Sequence, residues 1–105
     1  MIKVNGDVLK VGKVGLRAEH QQFAFSRGIA HVYTLTPTSR PRKGVVRMNS
    51  YVVEYTEAWW VILAPYALDR TEFEALINRC DYIGGVSKIP ADSITQALQT
   101  VALMA

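Results

Sequence analysis

The chain has 105 residues, 50% of them hydrophobic and 20% charged, and a net charge of +3. That length fits one domain over residues 1–105, able to bury a core without metal or disulfide staples, and the composition excludes a disordered chain. Cys80 is the only cysteine, so no disulfide can close within the chain, and a reduced thiol fits a cytoplasmic location.

The charge is unevenly spread. Residues 1–48 carry nine Lys/Arg and two acids, a balance of +7, and residues 49–105 carry three Lys/Arg and seven acids, a balance of −4. Such asymmetry points to a polyanionic partner, unless the two halves neutralise each other across one fold.

In chain order, "IKVNGDVLKV" (2–11) sets Asn5-Gly6 between two short alternating runs and predicts a β-hairpin. Pairing around it puts Ile2, Val4, Leu9 and Val11 on one face, with Lys3, Val8 and Lys10 on the other. Gly12 is then expected as a bulge that re-aims the strand so that Val14 and Leu16 point inward. "QQFAFSRGIAHVYTLT" (21–36) predicts a second hairpin with Gly28 at its turn and Ile29, Tyr33 and Leu35 on one face. A helix over residues 17–25 is the alternative there.

"GVVRMNSYVVEY" (44–55), a turn at Thr56-Glu57 and "AWWVILAP" (58–65) predict a long antiparallel ribbon. Trp59 and Trp60 are neighbours, so in a strand they point to opposite faces. Both faces are apolar. The strand must be covered by helices on one side and by something else on the other, either more of this chain or a second chain. The longest apolar run, "AWWVILAPYAL" (58–68), is too short to span a bilayer and contains Pro65. The N-terminal stretch lacks the apolar segment of a secretory signal, so no membrane association is expected.

The last third predicts two helices. In "LDRTEFEALINRC" (68–80), Asp69 is an N-cap and Glu72 stands three residues later, a capping-box spacing. Phe73, Leu76, Ile77 and Cys80 form one stripe. "DYIGGVSKIP" (81–90) is a connector with room for a short strand. "ADSITQALQTVALMA" (91–105) starts a helix at Asp92 or Ser93 with Ile94, Ala97, Leu98, Val101 and Met104 at helical spacing. It carries no charge after Asp92, so it should lie against another surface, within the domain or across a homodimer interface. The expected architecture is α+β: an antiparallel sheet of five or six strands in the N-terminal two-thirds, with the two C-terminal helices packed on one face.

Catalytic groups are sparse. His20 reads as a surface residue, and His31 shares a strand face with Ile29 and Tyr33, the setting of a partly buried imidazole. No spacing of His, Cys, Asp and Glu suits a metal, and no cofactor fingerprint appears. Gly84-Gly85 lacks the Gly-Lys-Ser/Thr at a helix mouth that a phosphate loop needs. An enzyme would have to assemble its site from His31, Tyr33, Asp81 and Tyr82, so a non-enzymatic protein is expected, with neither catalytic residues nor cofactors.

The stretch "TPTSRPRKGVVR" (36–47) carries Arg40, Arg42, Lys43 and Arg47, and no acid falls between Glu19 and Glu54. Guanidinium forks suit phosphate, and prolines stiffen the segment and limit the ordering entropy lost on binding. The first expectation is a nucleic-acid contact through residues 37–47, with Arg17 and Arg27 as supporting charges. The alternative is a protein-binding inhibitor, adaptor or assembly subunit of phage or mobile-element type. It would use Trp59, Trp60 and Tyr66 and the uncharged last helix, or meet an acidic protein surface. The third possibility is that these cations serve solubility alone.

Overall fold

The computed structural model describes residues 2–41, 43–79 and 83–104. Seven strands pair with their chain neighbours in sequence order: β1 (Ile2–Asn5), β2 (Val8–Val11), β3 (Val14–Phe25), β4 (Gly28–Pro37), β5 (Asn49–Tyr55), β6 (Ala58–Ala64) and β7 (Ser87–Ala91). Every pairing is antiparallel. Six strands fill the N-terminal two-thirds, as expected, and two helices follow in the C-terminal third. The seventh strand is the short one inside the connector.

Among the described residues, four strand-to-strand connections are two-residue turns, and the sequence supplies glycine within or beside three of them. Gly6 adopts φ +64° and Gly12 φ +62° as the first residue of their turns, and Gly28 follows the Ser26-Arg27 turn at φ +145°. Gly12 therefore closes a tight turn between paired Val11 and Val14, and the expected bulge does not form. The inward aim of Leu16 is as expected, because the turn itself restores the alternation. The fourth turn, Thr56-Glu57, places two non-glycine residues at φ 50° and 66°. Residues 17–25 lie within β3, not a helix, because the alternation of Phe23 and Phe25 gives one apolar face only in a strand.

The helices cover opposite faces of the sheet, which corrects the expected one-sided packing. Helix α1 (Arg70–Glu74) runs on into one π-helical turn (Ala75–Arg79) and brings Phe73, Leu76 and Ile77 onto Tyr51, Val53 and Ile62. Helix α2 (Ile94–Met104) brings Ala97, Leu98 and Val101 onto the alternate residues Val52, Val61 and Leu63. Successive strand residues face opposite ways, so the doubly apolar β6 is covered on both sides by its own chain. Helix α2 thus buries Ala97, Leu98 and Val101 within the domain, while its outward Leu103 stays 85% exposed.

Local signals place α1 where the sequence suggests. Asp69 Oδ1 accepts from Glu72 N at 2.8 Å, and Glu72 Oε1 accepts from Asp69 N at 3.0 Å, the reciprocal capping box. Phe73 is 1% exposed and meets Tyr51 edge-on at 4.9 Å. Lys88 of β7 donates to Leu76 O at 2.6 Å and lies 4.8 Å from the Trp60 ring centre, tying the edge strand to the π-helical turn. Cys80 lies outside the described residues. No helix among the described residues is long and apolar enough to cross a membrane.

Candidate binding surface

The register sorts the turns to two ends of the sheet. Leu16 pairs with Pro37, Leu35 with Ser50 and Ser50 with Leu63, so the Gly12-Lys13 turn, the 38–48 loop and the chain after Ala64 share one end. Phe25 pairs with Gly28, Tyr55 with Ala58 and Trp59 with Ala91, so the turns at Ser26-Arg27, Thr56-Glu57 and Asp92-Ser93 share the other. Charge follows this division. The loop end holds Lys13, Arg40, Lys43 and Arg47, and no acid lies in residues 20–53. Glu57 and Asp92 sit at the far end, beside Glu54 on β5.

The loop leaves the sheet in a fixed way. Thr38 N donates to Gly15 O at 2.9 Å, which extends the β3–β4 pairing by one residue. Arg47 then turns back, donating to Pro37 O at 3.4 Å and Ser39 Oγ at 3.3 Å. This closes the loop at its base, so β5 begins at Asn49 and the predicted ribbon is shorter than residues 44–55 suggest. Val45 and Val46 stand out of the sheet, 55% and 89% exposed.

The expected cations therefore have different roles. Arg40 and Lys43 are exposed and make no ion pair among the described residues. Arg47 is half-buried and braces the loop. Arg17 pairs with Asp7 at 2.7 Å, both side chains being more than half exposed, so the pair adds little to stability. Arg27 lies at the far tip of the β3–β4 hairpin, nine residue steps from Leu16 to Phe25, or about 30 Å. It does not join the loop cations. Arg42 lies outside the described residues. Lys10 pairs with Gly15 across β2 and β3 and lies one strand from the loop base.

Trp59 and Trp60 do point to opposite faces, and both are half-buried by the chain's own elements. Trp60 Nε1 is buried with no partner among the described residues. Tyr66, 37% exposed, follows β6 at the loop end. The three aromatic residues form no common surface. Gly85 has φ +77°, and a side chain there would stand 3.0 Å from Pro65 Cγ. The Gly84-Gly85 pair thus makes a turn against Pro65 and leads into β7, not into a helix mouth.

Two features escaped the sequence. One is a groove of about 460 Å³ between the loop and the end of α2, lined by Val45, Val46, Met48 and Met104 with Arg40 and Arg47 beside them. The valines read as strand because β-branched residues favour strands. The other is a cluster on the uncovered part of the α2 face: His20 Nε2 lies 2.9 Å from His31 Nδ1, and the His20 ring stacks on Tyr33 at 4.8 Å. Alternation across the second hairpin would have found it once the register was known. Asp81 and Tyr82 lie outside the described residues. Among the described residues, no group of three or more His, Cys, Asp or Glu side chains is placed to hold a metal.

No protein-family model matches this chain, and no curated protein and no solved structure shows significant similarity to it.

Proposed function

We propose that this chain is a non-enzymatic binding protein whose cationic sheet end contacts the phosphates of a nucleic acid. The observation that carries the reading is the position of Lys13, Arg40 and Lys43 at an end of the sheet served by a stretch without acids. The Gly15–Thr38 contact and Arg47 hold the loop to the sheet, which limits the entropy lost when it orders on a partner. Arg40 offers a planar fork and Lys10, Lys13 and Lys43 offer point charges, the pairing that phosphate contacts use. Such contacts position a protein on nucleic acid without reading its bases. The rival reading, protein contact through Trp59, Trp60 and Tyr66, has weaker support, because both tryptophans are half-buried and point to opposite faces of the sheet.

The test is a fluorescence-anisotropy titration of labelled single-stranded and duplex DNA and RNA at low and moderate salt. The wild type is compared with Arg40→Ala/Lys43→Ala. The proposal expects an affinity that falls steeply with salt and falls again in the double variant. Binding that is missing at low salt, or indifferent to salt, would end it.

A further inference from the structure

At the loop end, four apolar residues that a soluble surface seldom gathers stand together. Val46 is 89% exposed, Met104 61%, Val45 55% and Met48 42%. They line one side of the 460 Å³ groove, whose other residues include Leu63 and Ser50 of the sheet. Leu103 of α2 is 85% exposed as well. Contiguous apolar surface rimmed by charge marks an interaction site, and a volume of this size lies in the range that holds a ligand.

The rim decides what fits. Arg40 and Arg47 border the groove, the 38–48 loop contains no acid, and α2 contributes no charge from Ile94 to Met104. A second copy docked through the same surface would set like charges against each other across a two-fold axis. A partner with an apolar stripe flanked by carboxylates would meet the apolar floor and the cationic rim at once. Methionine at two lining positions adapts to varied side chains.

We infer that this groove binds an acidic amphipathic helix of a partner protein. The helix would set apolar side chains at i, i+4 and i+7 against Val45, Val46, Met48 and Met104, as helix-in-groove recognition does. Its Asp and Glu side chains would face Arg40 and Arg47. This inference goes beyond the nucleic-acid reading and does not rest on it. The phosphate contacts use Lys10, Lys13 and Lys43 in addition to Arg40, whereas the groove depends on its apolar lining.

The probe is a labelled synthetic amphipathic peptide with Leu at i, i+4 and i+7 and Glu at the flanking positions. Its control is the same peptide with Lys in place of Glu. Binding to the full chain is read by anisotropy, and the contact is mapped by amide chemical shifts. The acidic peptide should bind and shift the amides of the 38–48 loop and the end of α2. The basic control should bind at least about tenfold more weakly, a difference of about 1.4 kcal/mol. Val46→Ser/Met104→Ser, at two exposed positions, should weaken the acidic peptide by about tenfold and leave nucleic-acid affinity unchanged. Arg40→Glu should weaken it as well. The inference is overturned if neither peptide binds, if both bind alike, or if the serine variant binds like the wild type. It is also overturned if sedimentation shows a wild-type dimer that Val46→Ser dissociates, because a second copy would then fill the groove. Loss of nucleic-acid binding in the serine variant would assign the groove to that ligand instead.

Discussion

Gly15 and Thr38 meet where the cationic loop leaves the sheet: a Cβ built on Gly15 would stand 2.6 Å from Thr38 Oγ1. The same threonine donates its backbone N–H to Gly15 O at 2.9 Å and its hydroxyl at 3.4 Å. Gly15→Ala must push the threonine side chain aside or part the backbones. It is expected to destabilise the fold by about 1 kcal/mol, despite the usual gain when alanine replaces a strand glycine. Thr38→Ala removes the obstructing hydroxyl, so the double variant should recover what the single one loses. Urea unfolding of the four proteins measures this coupling, and costs that simply add would show that the contact does not set the loop base.

The Thr56-Glu57 turn holds two side-chain-bearing residues at φ 50° and 66°. A two-residue hairpin with both positions left-handed is the type I′ turn, for which Asn-Gly is the favoured pair. Threonine is β-branched and suits that region poorly. Thr56→Asn/Glu57→Gly should raise stability by about 1–2 kcal/mol, although it removes the Thr56 hydroxyl bond to Tyr55 O. An unchanged denaturation midpoint would mean that the native turn carries no strain.

Much of the fold was legible because its signals are local. The first hairpin (its turn is Gly6-Asp7, one residue later than the Asn5-Gly6 pair suggests), the alternation through β2, β3 and β4, and the Asp69–Glu72 capping box each depend on residues within a few positions of one another. What was hidden depends on distant contacts. Nothing within α1 or α2 says which side of the sheet each will cover. That follows from the chain returning along the sheet after β6, adding β7 at the edge, and then crossing the other face. Val45 and Val46 have strand propensity, yet they stand outside β5 in a loop whose base is closed by the reach of Arg47 back to Pro37 and Ser39. The loop cations were visible as a run, but the distance of Arg27 from them, and the nearness of Lys10, needed the register. His20 and His31 are eleven residues apart and meet only because the second hairpin folds them together.

Lys88 links β7 to the π-helical turn after α1 through one ammonium. It donates to Leu76 O at 2.6 Å and lies over the Trp60 ring at 4.8 Å. Lys88→Met keeps most of the aliphatic stem and removes both interactions. A charged hydrogen bond and a partly desolvated cation–π contact together suggest a loss of about 1–3 kcal/mol. Chemical denaturation should show a lower midpoint with an unchanged slope, because the same surface is exposed on unfolding. A midpoint equal to the wild type's would place the link outside the forces that hold the edge strand.

The separation of Arg27 from the loop cations gives the phosphate-contact proposal a positional test. Removing one cation that neutralises a phosphate should lower the slope of log affinity against log salt by about one. Arg40→Ala/Lys43→Ala removes two cations at the loop end, so the slope should fall by about two and the affinity should fall at low salt. Arg27→Ala removes the same charge per residue at the far tip, about 30 Å away along β3. If binding is local to the loop end, that variant should keep the wild-type slope. If binding reflected only the net charge of +3, both variants would lose affinity in proportion to the charges removed, Arg27→Ala by half as much. Equal effects per charge at the two ends would therefore refute a defined surface even if nucleic acid bound well, whereas a slope change confined to the loop variant would locate the binding surface at Arg40 and Lys43.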